Sequence, residues 1–299
     1  MEAQMRADAT QVVERDVALP GGLTLRCREA GAGPRRVVLL HGFPEAAFVW
    51  DATMRALAGQ ASCLAPNLRG YAGSSAPLEE AAYRPQALID ELASLIEALG
   101  APLDLLVAHD WGGALAWGLA ARRPELLRRL LVVNAPHPAA FLRELRDNPA
   151  QQAASAYMNF LARDDAEALL KENDFGRLFD LLERSGAAGW LDAAMRARYR
   201  RVWQHGLAGP LAYYRASPLR PGEALRGMQL PDALVEVHVP TWVLWGERDQ
   251  ALLPGLLEGL GRWVPRLEVE RVADASHWIV HEQPVRVVAA VRRALATPV

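Results

Sequence analysis

An apolar run leads directly into a segment of small residues at Asp104-Leu105-Leu106-Val107-Ala108-His109-Asp110-Trp111-Gly112-Gly113. The run is too short for a helix and too uniformly apolar for a strand with one solvated face, so it predicts a buried strand of a parallel sheet. Residues 114–121 predict a helix. Small residues around Asp110 are typical of a sharp strand-to-helix turn that exposes its central side chain. Taken alone, the segment is equally compatible with an Asp110 that only caps the helix.

Similar apolar runs occur elsewhere in the chain, and helical patterns separate them. The runs cover residues 36–40, 130–133 and 241–245. The clearest helical pattern covers residues 85–99, with a proline at its start and Gly100 just past its end. This alternation predicts an α/β fold with a mostly parallel central sheet flanked by helices.

The alternation stops after Asn134 and resumes near residue 237, and between them the sequence predicts helices alone, such as 150–161, 166–172 and 190–204. We therefore expect a core domain formed by residues 1–136 and 231–299. Residues 137–230 would form an inserted all-helical cap above the carboxyl ends of the strands, where α/β folds bind ligands.

Composition limits the classes of partner. The 299 residues include 33 Lys and Arg against 35 Asp and Glu, so no basic excess predicts nucleic acid or a membrane as a partner. Cys27 and Cys63 lie outside any metal-binding or dithiol spacing, and we expect free thiols in strands, no metal and no cofactor. The start of the chain shows no apolar leader pattern. These features favour a cytoplasmic monomer or homodimer.

Two further motifs follow predicted strands. His41-Gly42-Phe43-Pro44-Glu45 comes after the first apolar run, and the backbone N–H groups of Phe43 and Trp111 could together hold a developing oxyanion. Asp249 ends the segment Trp245-Gly246-Glu247-Arg248-Asp249, and His277 lies 28 residues beyond it. That interval suits one helix, one strand and a loop. The chain order is nucleophile, acid, histidine, which is the order in α/β-hydrolases.

Five motifs together resemble the epoxide hydrolase branch of the α/β-hydrolase family, which is related to the haloalkane and fluoroacetate dehalogenases. They are HGFPE at 41–45, HDWGG at 109–113, NAPHP at 134–138, WGERD at 245–249 and SHWIVHEQP at 276–284. The resemblance covers most of the chain outside residues 137–230. It implies an α/β-hydrolase fold with Asp110 as nucleophile, Asp249 as acid and His277 as base.

A carboxylate nucleophile implies a different chemistry from that of a serine. It can attack a saturated carbon and leave an alkyl-enzyme ester, which water activated by His277 then hydrolyses while Asp249 orients the imidazole. Some relatives carry the acid at the position of Asn134. An amide supplies no negative charge, so the acid role falls to Asp249. The implied reaction converts a small-molecule epoxide into a vicinal diol.

Epoxide opening produces an alkoxide, and the resemblance implies two cap tyrosines that would stabilise or protonate it. Tyr214, in the segment GPLAYYR at 209–215, matches the second of these positions. Tyr157 is our candidate for the first, although an alignment through Phe160 would place Asn159 there instead. Aromatic residues on such helices often serve packing alone, and we expect this of Tyr213.

Two other functions stay open from the sequence. A haloalkane or haloacid dehalogenase could use the same aspartate, but the Phe43 side chain offers no second halide donor. The arginine clamp of fluoroacetate dehalogenases is also missing, since Trp111 and Ala114 occupy its positions. A catalytically silent binding protein would not need the whole constellation. We expect His41 and His109 to hold loop geometry, and we include them with Glu45 as possible neighbours of the site.

Overall fold

A computed structural model describes residues 9–298 of the chain. An eight-stranded sheet forms its centre, in the order β1-β2-β4-β3-β5-β6-β7-β8. The strands are β1 (Val13–Ala18), β2 (Thr24–Ala30), β3 (Arg35–Leu40), β4 (Ala61–Pro66), β5 (Leu105–His109), β6 (Leu130–Val133), β7 (Thr241–Gly246) and β8 (Leu267–Val272). Strand β2 is antiparallel to both β1 and β4, and the strands from β4 across to β8 pair in parallel. The predicted mostly parallel α/β sheet is confirmed.

Helices connect and cover these strands. They are α1 (Asp51–Leu57), α2 (Pro85–Ala98), α3 (Asp110–Arg122), α4 (Pro138–Asp147), α5 (Pro149–Ala154), α6 (Tyr157–Leu161), α7 (Ala166–Arg184), α8 (Ala193–Trp203), α9 (Ala208–Ala216), α10 (Ile279–Glu282) and α11 (Pro284–Ala296). No helix within residues 9–298 is both long enough and apolar enough to cross a membrane. The leader pattern sought in the sequence falls mainly on residues 1–8, outside the described part.

The apolar runs form the centre of the sheet because both of its faces are covered. Every residue of β5, β6 and β7 is buried. Helix α2 turns its apolar stripe inward and buries Leu88, Leu92, Leu95 and Ile96. Cys27 in β2 and Cys63 in β4 are buried free thiols, as the sequence predicted.

Helices α4 to α9 lie between β6 and β7 and form the inserted helical segment, residues 137–230. The predicted helix over 150–161 is wrong in one respect, because Ser155 ends α5 and a separate helix begins at Tyr157. The predicted helix over 166–172 corresponds to the first part of α7, which is interrupted by non-helical backbone at residues 172–175 before it continues to Arg184. The assignment of residues 137–230 as a separate cap domain stays a prediction.

The inserted segment is hydrogen-bonded to loops that follow the strands. The Trp203 indole donates to the Pro44 carbonyl at 2.7 Å, and the Tyr213 hydroxyl donates to the Arg69 carbonyl at 3.0 Å. Tyr213 is fully buried there, in agreement with its expected structural role. These contacts place helices α8 and α9 beside the loops after β3 and β4.

Candidate active site

Asp110 occupies a tight turn between β5 and α3. Its φ is 50°, in the left-handed region, and neighbouring glycines make room for the turn. A Cβ at Gly113 would lie 2.2 Å from Ala135 Cβ, and one at Gly42 would lie 2.2 Å from Asp110 Oδ1. His109, and not Asp110, is the N-cap residue of α3. Asp110 Oδ1 instead accepts a hydrogen bond from Phe43 N–H at 2.7 Å, which excludes the helix-capping interpretation.

His277 and Asp249, the predicted base and acid, lie next to this turn. His277 Nε2 lies 3.6 Å from Asp110 Oδ2, and His277 Nδ1 lies 2.6 Å from Asp249 Oδ2. The side chains of His277 and Asp249 are 6% and 0% exposed, whereas Asp110 retains 14%. The side chains of Asp249, His277 and Asp110 therefore follow one another in contact. Asp110 is the most exposed of the three and is the one that a small molecule can reach.

Electrostatic attraction between Asp110 and His277 favours the charged form of both side chains. Burial raises the pKa of Asp110, but a hydrogen bond from His277, the charges of His277 and His109 and the Phe43 N–H outweigh burial and leave the pKa below its usual value. Burial lowers the pKa of His277, but the attraction of Asp249 and Asp110 is larger and raises it well above its usual value. Both shifts favour an anionic Asp110 facing an imidazolium.

Both candidate tyrosines lie above Asp110. Tyr214 is buried, and its ring centroid lies 5.2 Å from that of Trp111, 5.2 Å from that of Phe43 and 6.2 Å from that of Tyr157. Burial first, and the nearby Asp110 charge among other causes, raises the pKa of both phenols, so both keep their protons at neutral pH. Asn159 instead donates to the Pro221 carbonyl at 2.9 Å on the exposed side of α6.

Two cavities meet at Asp110, Tyr157 and Tyr214. The larger has a volume of about 320 Å³ and extends along α3, and the smaller has a volume of about 210 Å³ and extends toward His277 and Trp278. The three residues that line both are the carboxylate and the two phenols. A molecule with two substituents on a small central group would fit this arrangement.

His41 and His109, predicted as neighbours of the site, form hydrogen bonds that fix the loops around Asp110. His41 accepts from Leu68 N–H through Nε2 at 3.0 Å, and its Nδ1 lies 2.9 Å from the Gly42 carbonyl. Burial lowers the pKa of His41 to about 4, so it is neutral and ties two loops together. His109 Nδ1 lies 3.1 Å from Glu45 Oε2, and its Nε2 lies 2.9 Å from the His277 carbonyl.

Glu45 is the centre of a buried network that the sequence did not reveal. Its Oε1 accepts from the Tyr199 hydroxyl at 2.9 Å and lies 2.7 Å from His281 Nε2. Burial raises the pKa of Glu45, but its hydrogen bonds with His109 and His281 and their electrostatic attraction together outweigh burial, so the pKa is well below its usual value. The sequence predicts Glu45 only as a possible neighbour of the site, because Tyr199 lies 154 residues and His281 236 residues away in sequence.

Comparison with known proteins identifies the family. A family model described as alpha/beta hydrolase fold matches residues 35–284. The chain belongs to the α/β-hydrolase family. AB hydrolase superfamily protein YfhM of Bacillus subtilis is 34% identical over 269 residues, which cover 88% of this chain and 91% of that protein. Epoxide hydrolase 3 of Mus musculus is 34% identical over 271 residues, which cover 88% and 71% of the two chains.

A solved structure matches the whole architecture of this α/β-hydrolase. It is the Bacillus megaterium epoxide hydrolase in complex with an inhibitor, with a TM-score of 0.88 and 31% identity, covering 95% of this chain and 100% of that one. These relatives confirm the predicted epoxide hydrolase branch of the α/β-hydrolase family. Within residues 9–298, no three His, Cys, Asp or Glu side chains are grouped so as to hold a metal ion.

Proposed function

We propose that this α/β-hydrolase opens a small-molecule epoxide to a vicinal diol through a covalent ester on Asp110. One observation carries the proposal: the Asp110 carboxylate lies 3.6 Å from His277 Nε2 and, with Tyr157 and Tyr214, lines both cavities where they meet. Asp249 is the acid of the proposed triad, and residues 137–230 act as the cap that supplies the two tyrosines.

The first step forms the ester. Asp110 Oδ1 is held by Phe43 N–H, so Oδ2 is the oxygen that is free to attack a ring carbon of the epoxide. The new carbon–oxygen bond forms as the ring carbon–oxygen bond breaks, and the electron pair of the broken bond moves to the epoxide oxygen. The phenols of Tyr157 and Tyr214, protonated at neutral pH, donate hydrogen bonds and then a proton to that oxygen.

The second step hydrolyses the ester. Esterification removes the Asp110 charge, which is one of the groups that raise the pKa of His277, so the imidazolium loses its proton more readily, and that proton replaces the one that the phenol gave to the epoxide oxygen. Neutral His277 then takes a proton from water, and the hydroxide attacks the ester carbonyl. Phe43 N–H already contacts the oxygen that becomes the oxyanion, and Trp111 N–H is the proposed second donor. Collapse of this intermediate breaks the bond to the substrate oxygen, which takes the remaining proton of the attacking water, so that the diol is released and the carboxylate is restored.

The site favours an epoxide over a halogenated substrate. A departing halide needs hydrogen-bond donors that hold an anion, whereas a departing alkoxide needs a proton, and protonated phenols supply one. The Phe43 ring packs edge-on against Tyr214 and offers no donor of its own. The proposed substrate is therefore an epoxide whose reacting ring is uncharged. Its substituents can carry a charge.

The test is to trap the ester. A His277→Gln variant should still be alkylated by excess epoxide, and intact-protein mass spectrometry should show an adduct with the mass of the epoxide, located on Asp110 after digestion. The Asp110→Asn/His277→Gln double variant is the matched control and should stay unmodified. If the His277→Gln protein accumulates no adduct on Asp110, the covalent mechanism is wrong. Halide release from haloalkanes or haloacetates, retained in a Tyr157→Phe/Tyr214→Phe variant that no longer opens epoxides, would favour a dehalogenase.

A further inference from the structure

The larger cavity runs along one side of helix α3 and has an unusual distribution of charge. From the Asp110 end, the helix contributes Trp111, Ala114, Leu115, Gly118 and Arg122 to the lining, and the remaining walls are mainly aliphatic and aromatic. Asp110 and Arg122 are the charged residues of this lining, and they belong to the first and the last turn of the helix. The cavity is thus an apolar lobe with a reacting carboxylate near one end and a guanidinium near the other.

The length of the lobe follows from the helix itself. Asp110 and Arg122 are the end residues of the 13-residue helix α3. An α-helix rises about 1.5 Å per residue, so these two residues are separated by about 18 Å along its axis. Arginine is a long side chain and helical side chains point toward the N-terminus, so Arg122 spans part of that distance. An extended substituent of roughly eight to ten carbon atoms would cover the remainder.

Arg122 has a free guanidinium. It is half-buried, and in the part of the chain that the structure describes it forms no hydrogen bond or ion pair. The next residue behaves differently, because Arg123 pairs with Glu97 at 2.7 Å and with Glu125 at 2.5 Å. An unpaired guanidinium at the end of an apolar lobe is suited to bind an anion that arrives on an apolar chain.

We propose that this lobe binds a substrate substituent consisting of an unbranched apolar chain that ends in a carboxylate, and that Arg122 binds the carboxylate. The inference rests on the proposed epoxide opening at Asp110. The shorter substituent of the epoxide enters the smaller cavity beside His277. A chain anchored at Arg122 fixes which ring carbon faces Asp110 Oδ2, so Arg122 determines both substrate preference and the position at which the ring is attacked.

Matched substrates and matched variants test this assignment. The substrates are an epoxide with a ten-carbon ω-carboxylate arm and its methyl ester, and the variants are Arg122→Gln and Arg123→Gln. Arg122→Gln should raise KM for the carboxylate about threefold to tenfold, as expected for a partly solvated charge pair, and should change KM for the methyl ester much less. Arg123→Gln should leave KM unchanged for both substrates. Equal effects of Arg122→Gln on carboxylate and ester would overturn the proposal.

Direct binding separates this inference from the proposed function. Isothermal titration calorimetry with decanoate, which has no epoxide, should show binding that Arg122→Gln weakens and that 1-decanol does not reproduce. If the enzyme opens no epoxide yet binds decanoate through Arg122, the proposed function fails and the anion site stands. If Arg184→Gln, in the smaller cavity, weakens decanoate binding while Arg122→Gln does not, the anion lies in the other cavity and the present assignment is wrong.

Discussion

The Asn134 amide donates a hydrogen bond to Asp249 Oδ2 at 2.8 Å, the same oxygen that lies 2.6 Å from His277 Nδ1. The other carboxylate oxygen accepts from the backbone N–H groups of Ala251 and Leu252, each at 2.9 Å. Asp249 is completely buried, so these contacts replace its lost hydration. Asn134 therefore positions the side chain of Asp249, the proposed acid.

Replacing Asp249 should disable the second chemical step more than the first. Asp249→Asn should lower the rate of ester hydrolysis by about four orders of magnitude, because the imidazolium loses its buried counter-charge. In the Asp249→Asn/Asn134→Asp double variant a carboxylate is restored at position 134, one hydrogen bond away from position 249. We expect the rate of ester hydrolysis to recover about tenfold or more. Single-turnover kinetics with rapid quenching would separate the two steps. The double variant being as slow as Asp249→Asn would show that position 134 cannot supply the charge.

The central strands were predictable from the sequence because burial on both faces leaves an apolar signature. The edge strand β1 was not, since five of its six residues are exposed. The predicted helix between Asp249 and His277 is wrong: 3-10 turns at Pro254–Leu257 and Leu260–Arg262 stand there, separated by left-handed Gly259.

The proposed triad was predictable because each member follows a strand in a recognisable motif. The partners of Glu45 were not, because hydrogen bonds between residues far apart in sequence leave no local pattern. The free guanidinium of Arg122 was hidden for the same reason, since neighbouring Arg122 and Arg123 look alike in the sequence but differ in their partners. The contacts of helices α3 and α8 decide these features, and one sequence does not specify them.

The pKa of His277 should depend on the charge of Asp110. In Asp110→Asn, a neutral mimic of the ester, the imidazolium loses an attractive charge while burial still disfavours it, so the pKa of His277 should be lower than in the wild-type protein. Nuclear magnetic resonance titration of ¹⁵N-histidine-labelled protein would measure both values. The remote His238, which is exposed, serves as an internal control. An unchanged or higher pKa of His277 would remove the proposed trigger for the hydrolytic step.

The two phenols should share the stabilisation of the alkoxide. Each of Tyr157→Phe and Tyr214→Phe should lower the rate of ester formation about tenfold, and the double variant should lower it a hundredfold or more, in the range of a lost general acid. Hydrolysis of an ester already formed should be unaffected. Tyr213→Phe is the matched control, because its hydroxyl bonds to the Arg69 carbonyl away from the reacting centre. Full activity in the double variant would contradict the proposed role.

The buried Glu45 network should contribute to stability as well as to geometry. Glu45→Gln removes the buried carboxylate charge that His109, His281 and Tyr199 contact, and it should destabilise the fold by about 3 kcal/mol. The contribution should depend on pH. The pKa of Glu45 is below its ordinary value of 4.5 in the folded protein, so the stabilisation is complete above that value and is lost as the pH falls through the folded pKa.

The two proteins should therefore converge in stability in acid. Chemical denaturation at pH 7 and pH 4 should give a smaller difference in unfolding free energy at the lower pH. Glu125→Gln, at an exposed carboxylate paired with Arg123, controls for the loss of a charge and should change stability little. A difference that stays constant or grows in acid would exclude the ionised network.

A methyl group at position 42 should strongly reduce turnover without unfolding the protein. The Cβ of Gly42→Ala would lie 2.2 Å from Asp110 Oδ1 and 2.3 Å from its Cβ, so the whole Asp110 side chain must shift relative to Phe43 N–H and His277. We expect at least a hundredfold loss of turnover, since misplaced reacting groups lose most of their advantage. Gly59→Ala is the matched control, because no atom lies within 4 Å of its added Cβ. Circular dichroism would establish that both variants are folded, and wild-type turnover in Gly42→Ala would show that the carboxylate does not need the position it occupies here.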